Sequence, residues 1–474
     1  MRTEAGDVQG AMQGDVYRYL GVPYARATER FVPAEEVEPW DGVLTTNSYG
    51  ATSPQGSMLG MSASEDDDTA DNNRQNLNIW TPGINDGERR PVMVWLHGGG
   101  FSTGSANERN YDGANLSASG DVVVVGVNHR LNVFGHLDLS AYGEKYADSG
   151  NVGLTDIIAA LEWIQENIDY FGGDPSNVTL FGQSGGGAKQ LALMSAPSAK
   201  GLFGKAIVQS GATETMGVTF ATKEQSQSLT EHLLDNLNIT AENIDDLQTV
   251  SVSDLQDAAT AALQTTADEY RIPAPLGDGY QMEWGPVVDG DFLPTNPVTD
   301  DSFAAAGEDV TLLIGSNLNE WTGMSAPTDV PQDNADAIAA AVEEAYPNVG
   351  GLEASRVDTL IRLPMLKIMS HKADQGGADV YAYVFTHSNG VMGSYHGAEI
   401  PYVFDNVSGD ALADHISQAW VSFARTGVPA ADGLPEWEPY TRESGTTMLL
   451  DDDSELVHHH DQALMSLLAP DYQY

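Results

Sequence analysis

The sequence predicts an α/β fold in which helices flank a mostly parallel central sheet. Short apolar runs recur along the chain, and strands that are apolar on both faces are typical of the centre of a parallel sheet. Stretches with apolar residues at helical spacing lie between these runs, so strands and helices alternate as in βαβ units. The strand candidates are Pro91–Leu96, Asp121–Val127, Val178–Phe181, Ala206–Gln209, Val310–Ile314 and Val380–Phe385.

The best-defined helix is predicted over Thr155 to Ile168, where apolar residues recur at helical spacing. Thr155 or Asp156 is a candidate cap for its start, and a Gly-Gly-Asp-Pro run at 172–175 follows its end. Two polar, acidic regions, 212–310 and 325–375, are predicted to be mainly helical insertions within a single domain spanning 1–474. Residues 56–73, which include Asp66–Asp68, are predicted to form an exposed loop.

The charge balance excludes several classes of partner. Lys and Arg total 21 and Asp and Glu total 69, so the formal net charge is −48 and the pI is about 4.1. Such a chain repels nucleic-acid phosphates and anionic membrane surfaces, so neither is expected as a partner.

The acidity does not indicate disorder, because 41% of the residues are hydrophobic and a large core is available. We therefore expect an acidic surface, either on an ordinary solubilised protein or, as we favour, on a protein adapted to molar salt. The Debye length falls from about 10 Å at 0.1 M to about 3 Å at 1 M, which relieves the self-repulsion of such a surface. A KCl-rich cytoplasm in a halophile fits this interpretation.

Cysteine is absent, which excludes disulfides, a thiolate nucleophile and cysteine-ligated metal sites. No apolar run approaches the length of a membrane span, and the first residues lack the pattern of a signal peptide. The expected location is the cytoplasm.

The pattern G-x-S-x-G of the nucleophile elbow occurs twice, around Ser102 and around Ser184. An elbow must join a buried strand to a helix. Ser184 follows the strand candidate 178–181 and precedes a helix-forming run, whereas Ser102 runs into Gly, Ser and Asn residues typical of a loop. We therefore predict Ser184 as the nucleophile.

A glycine-rich loop, His97-Gly98-Gly99-Gly100, follows the strand candidate 91–96. Acyl transfer needs backbone N–H donors aimed at the developing oxyanion, and HGGG loops supply them in lipases and esterases. A further donor is expected from Gly185, directly after the nucleophile. The alternative is that the glycines form only a flexible turn.

Acid and base should follow the serine in chain order. Glu320 comes just past an apolar strand, whereas its competitor Asp289 stands in an Asp-Gly sequence typical of a turn. His396 lies in a loop of small residues, and His387 is the runner-up. His415 falls in a helical pattern. The run His458–His460 suggests metal binding but is more often a solvated surface run.

The chain resembles the type-B carboxylesterases, the α/β-hydrolase family that includes the cholinesterases. The resemblance covers nearly the whole chain through motifs at 19–25, 77–80, 95–101, 167–175, 182–186, 201–211, 315–320, 395–404 and 420–429. It implies Glu320 as the acid, His396 as the base and the amides of Gly99, Gly100 and Gly185 as oxyanion donors. It also implies that Ser210 lies near the acid.

The chain departs from the family at several positions. Gln183 stands where many relatives carry Glu. The relatives' first disulfide precedes the segment 77–80, where this chain has Arg74 and no cysteine. The loop 56–74 lacks the tryptophan that cholinesterases use to bind choline, so a choline esterase is disfavoured.

The predicted function is therefore a serine carboxylic ester hydrolase, with Ser184, His396 and Glu320 working through an acyl-enzyme. It needs no metal and no organic cofactor, and its partners are a small-molecule ester and water. The alternatives are an amidase or lipase variant, or a catalytically silent interaction protein of the same fold. The oligomeric state is not specified by the sequence.

Overall fold

A computed structural model describes residues 1–56, 74–214, 220–275, 278–321 and 334–474. Within them an eleven-stranded sheet has the order β15-β14-β13-β12-β9-β8-β6-β7-β5-β3-β2. The strands of the described chain are β1 (Asp7–Gln9), β2 (Ala11–Gln13), β3 (Val16–Pro23), β4 (Val43–Thr45), β5 (Asn76–Thr81), β6 (Arg90–Leu96), β7 (Val123–Asn128), β8 (Gly173–Gln183), β9 (Lys205–Gln209), β10 (Ala221–Thr222), β11 (Val287–Val288), β12 (Thr311–Asn317), β13 (Val380–Phe385), β14 (Thr446–Leu450) and β15 (Glu455–His458).

The centre of the sheet is parallel, from β7 through β6, β8, β9, β12 and β13 to β14, and antiparallel strands close both edges. All six predicted strands lie in this parallel part. The predicted α/β architecture with a mostly parallel sheet is therefore confirmed. The predicted loop 56–73 lies almost entirely outside the described residues, as does the start of the region 325–375.

Helices cover both faces of the sheet. They are α1 (Ala114–Gly120), α2 (Asn132–His136), α3 (Val152–Asn167), α4 (Gly185–Ser195), α5 (Lys223–Leu237), α6 (Val252–Tyr270), α7 (Ala335–Ala345), α8 (Gly351–Ala354), α9 (Arg362–Asp374), α10 (Ile400–Val403), α11 (Ala411–Thr426) and α12 (Gln462–Leu468). Alternate residues of β6 face different cores: Val92 and Val94 pack with α3 and α4, and Met93 and Trp95 pack with α11.

The start of α3 differs from the prediction. The helix begins at Val152 after Asn151, so Thr155 and Asp156 lie inside it and neither caps it. The Asp156 carboxylate is instead held by the buried Arg130 guanidinium at 2.7 and 2.8 Å.

The region 221–270 is largely helical, with α5 packed against α6. Most of its leucines are buried in a cluster that includes residues of α2, while acids such as Asp235 and Asp246 are exposed. Among the described helices, none combines the length and the apolar composition that a membrane span requires.

Candidate active site

Ser184 stands at a sharp turn between β8 and α4. Its backbone has φ 56° and ψ −123°, a conformation that residues with a side chain rarely adopt. The turn is held by its N–H, which donates to the Gln209 carbonyl at 2.8 Å, and by its own carbonyl, which accepts from Ala188 N–H at 3.1 Å. A strained serine between a buried strand and a helix is the geometry of a nucleophile elbow.

Glycines let the elbow pack closely. A Cβ built on Gly186 would collide with the carbonyl of Leu96 in the neighbouring strand β6. A Cβ on Gly187 would meet Gly211 Cα at 3.0 Å, after β9. The helix that follows Ser184 can therefore lie directly against the sheet only with glycine at its start.

The loop Gly98–Gly100 lies against the elbow. A Cβ on Gly98 would be 3.5 Å from the Ser184 Cβ, and a Cβ on Gly185 would be 2.5 Å from Gly100 Cα. Gly99 and Gly100 have positive φ, 87° and 60°. Gly100 and Gly185, two of the glycines predicted as oxyanion donors, thus lie together at the elbow, and the third, Gly99, directly precedes Gly100.

Ser102 belongs to this loop and not to an elbow. It lies in a turn in which its N–H donates to the Gly99 carbonyl at 3.2 Å, and its own carbonyl accepts from Asn132 Nδ2 at 3.1 Å. No strand leads into it, so its sequence match arises from the glycine-rich loop.

Glu320 and His396 meet at the carboxyl end of the sheet. Glu320 follows β12 with φ 35°, its side chain is fully buried, and its Oε1 accepts from the Asn317 N–H at 2.7 Å. Its Oε2 lies 2.5 Å from His396 Nδ1. The ring of Trp321 stacks on the imidazole at 4.1 Å.

The loop that carries His396 lies next to the elbow. A Cβ on the next residue, Gly397, would lie 3.6 Å from the side-chain Nε2 of Gln183, the residue that precedes Ser184. The His396 Nε2 is buried and makes no hydrogen bond within the described chain. In unliganded enzymes the hydrogen bond between the catalytic base and the nucleophile is often long, and it shortens when substrate binds.

Two further buried carboxyl groups, which the sequence reasoning missed, lie near Glu320. Glu399 accepts from Asn317 Nδ2 at 2.6 Å and Gln209 Nε2 at 3.1 Å, and burial, together with the Glu320 charge, raises its pKa. The position of Glu399 within the motif 395–404 could have identified it from the sequence.

The second buried carboxyl group is Asp358, whose N–H donates to the Leu318 carbonyl at 2.9 Å. Its carboxylate accepts from the N–H groups of Ile361 and Arg362 at 2.8 and 3.0 Å. Burial and the Glu320 charge raise the pKa of Asp358 to about 7. It carries no sequence signal among 69 acids.

Ser210 follows β9, has φ 49°, and donates its N–H to the Gly315 carbonyl of β12 at 2.8 Å. Its hydroxyl is buried and makes no hydrogen bond among the described residues. Its role beside the acid stays a prediction.

The competing residues lie elsewhere. His387 Nδ1 faces Asp452 and Asp451 at 3.2 and 3.7 Å, and not Glu320. Asp289 accepts from the N–H groups of Asp291 and Leu293, which makes it a turn residue.

The histidine run is only partly solvated. His458 and His459 are exposed, but the side chain of His460 is only 5% exposed beside Asp461, and burial lowers its pKa to about 4. The expectation of a wholly solvated run is therefore wrong at His460, which packs edge-on against Tyr346.

The fold and the elbow define the chain as an α/β-hydrolase. The carboxylesterase family profile matches residues 1–348 and 342–466. Para-nitrobenzyl esterase of Bacillus subtilis is 35% identical over 97% of this chain and 96% of its own length. Phenmedipham hydrolase of Pseudarthrobacter oxydans is 30% identical over 96% and 95%. The chain therefore belongs to the carboxylesterase family, and these relatives are named as an esterase and a hydrolase.

Solved structures give the same result. An esterase from the anaerobe Clostridium hathewayi, which hydrolyses aliphatic aromatic polyesters, superimposes with a TM-score of 0.87 at 32% identity, covering 99% of this chain and 97% of that one. A PNB esterase structure gives 0.78 at 34% identity, covering 98% and 99%.

Proposed function

We propose that this carboxylesterase works through a Ser184–His396–Glu320 triad and an acyl-enzyme. The observation that carries the proposal is the 2.5 Å contact between Glu320 Oε2 and His396 Nδ1, which leaves Nε2, without a hydrogen bond among the described residues, as the ring nitrogen available to act as the base. A base oriented by a buried carboxylate, next to a serine on a strained turn, is the arrangement that activates a hydroxyl.

The reaction follows from these roles. Nε2 of His396 takes the Ser184 proton as Oγ attacks the ester carbonyl, and Glu320 stabilises the imidazolium. The amides of Gly99, Gly100 and Gly185 bind the oxyanion. The alcohol leaves with the proton from His396, and a water molecule then attacks the acyl-enzyme by the same route, which releases the acid and restores Ser184.

The elbow and the glycine loop argue against a catalytically silent interaction protein, since such a protein needs neither. Amides pass through the same tetrahedral intermediate, so an amidase is distinguished by substrate and not by the triad. In p-nitrophenyl ester assays, Ser184→Ala should abolish turnover while Ser102→Ala keeps most of it. Full activity of Ser184→Ala would exclude the triad.

We also propose that the protein is adapted to high salt, as in a KCl-rich cytoplasm. The net charge of −48 supports this, as do the exposed acids over the buried leucines of α5 and α6. Salt that screens these charges lowers their mutual repulsion in the folded state.

A further inference from the structure

A buried lysine lies beneath the oxyanion loop. Lys189 is on α4, in the second turn after Ser184, and its side chain is fully buried. Its Nζ donates a hydrogen bond to the His97 carbonyl at 2.8 Å. That carbonyl directly precedes Gly98–Gly100, so the lysine joins the nucleophile helix to the loop that carries the oxyanion donors.

Three buried histidines lie near enough to this ammonium to feel its charge. His97 follows β6, His129 follows β7 and His136 ends α2, and the rings of His97 and His129 stack at 5.1 Å. The Nδ1 atoms contact the carbonyls of Gly98, Arg130 and Gly150 at 2.8, 2.9 and 3.2 Å respectively. Nδ1 is therefore the protonated nitrogen of each neutral ring.

The histidines cannot balance the charge of the lysine. Burial and the nearby Lys189 lower the pKa of all three, so they are neutral. Arg130, beside His136, is paired with Asp156, and the Phe101 ring lies 5.8 Å from Nζ. Within the described residues no carboxylate forms an ion pair with Lys189, and burial lowers the pKa of its ammonium to about 7.

A buried cation without a counter-ion destabilises a fold, so its position calls for a functional reason. We propose that Lys189 is a positioning residue of the oxyanion hole: it fixes the His97–Gly100 loop, and its charge stabilises the oxyanion that forms at the far side of that loop. The inference rests on the proposed serine mechanism. In the resting enzyme no described carboxylate pairs with the ammonium, and the tetrahedral intermediate supplies a negative partner in a site of low dielectric.

Because this interaction arises only as the oxyanion forms, it should act on kcat more than on KM. It should also depend on pH. The ammonium is charged below a pH of about 7 and loses its charge above it, so the advantage of lysine over a neutral residue should shrink as pH rises through neutrality.

The test compares Lys189→Met with Lys372→Met. Lys372 is a matched control, because it is also fully buried, donates to a backbone carbonyl (Glu308 at 3.0 Å) and has a pKa lowered by burial, but lies on α9. With a p-nitrophenyl ester below neutral pH, Lys189→Met should lower kcat by about 10- to 100-fold with little change in KM. Lys372→Met should keep the wild-type kcat.

A second variant, Lys189→Gln, keeps a donor for the His97 carbonyl without the charge. The ratio of wild-type kcat to Lys189→Gln kcat should fall as pH rises through neutrality. Thermal melts should show that Lys189→Met is at least as stable as the wild type, since it removes a buried charge.

Three results would overturn the inference: a wild-type kcat in Lys189→Met, a pH-independent ratio for Lys189→Gln, or loss of folding in both variants, which would make the lysine purely structural. If Ser184→Ala is inactive while Lys189→Met is unimpaired, only the lysine inference fails. If Ser184→Ala is active, the serine mechanism itself fails.

Discussion

Glu320 and His396 are joined twice. The His396 backbone N–H donates to the Glu320 carbonyl at 2.7 Å, and the His396 Nδ1 lies 2.5 Å from Glu320 Oε2. Glu320 and Tyr395 also form an isolated parallel β-bridge, so the loop after β13 is fixed to the turn after β12. The two side chains are therefore held as one unit.

Removing the charge of Glu320 while keeping its shape should expose its role. Glu320→Gln should lower kcat by about 10³- to 10⁴-fold, because the imidazole loses both its orientation and the stabilisation of its cation. Steady-state kinetics with a p-nitrophenyl ester measure this. Asp289→Asn, which neutralises the turn carboxylate, should leave kcat unchanged; equal losses in both variants would remove Glu320 from the mechanism.

The close packing of the elbow should make Gly186 intolerant of a methyl group. Gly186→Ala places a Cβ against the Leu96 carbonyl and should destabilise the fold by about 3 kcal/mol, the upper end of overpacking costs. Gly204→Ala is the control, since a Cβ there meets nothing within 4 Å. Denaturant melts that rank the two variants equally would contradict the packing argument.

Asp358 should give the fold a pH dependence. Its folded-state pKa of about 7 exceeds the ordinary aspartate value of 3.8, so the folded state keeps a proton that the unfolded state loses, and this stabilisation disappears as pH rises through about 7. Asp358→Asn keeps an oxygen for the Ile361 and Arg362 amides but does not titrate. The Tm of the variant relative to wild type should therefore rise with pH between 3.8 and about 7. A constant difference would show that Asp358 has an ordinary pKa.

Salt should stabilise the enzyme and raise its activity. With a net charge of −48, the Tm and kcat/KM should both increase from dilute buffer to molar KCl, because screening relieves repulsion between exposed acids. Thermal melts and ester assays over a KCl series measure this. Maximal stability and activity in dilute buffer would exclude the adaptation to salt.

The sequence was sufficient for the parallel sheet and for the neighbourhood of Ser184, because apolar runs and glycine spacing report local backbone requirements. It could not reveal Asp358, since a buried carboxylate looks like any other acid in so acidic a chain. The cluster that Lys189 forms with the three histidines was also missed, although His97 was noted as part of the glycine-rich loop. Its members come from α4 and from segments after β6 and β7, and only the fold brings these together.

His460 illustrates the same limit. A run of three histidines beside acids suggests a solvated surface, but His460 packs between Asp461 and Tyr346 while its neighbours stay exposed. Which of the three histidines is buried depends on how the chain turns after β15, where His459 has φ 46°.

The identity of the nucleophile is tested most directly by covalent labelling. An organophosphate ester such as diethyl p-nitrophenyl phosphate phosphorylates an activated serine and releases p-nitrophenol. Peptide mass spectrometry should place a single diethylphosphoryl group on Ser184, with loss of activity in proportion to labelling and no label in Ser184→Ala. A label on Ser102, or inactivation without a modified Ser184, would contradict the proposed mechanism.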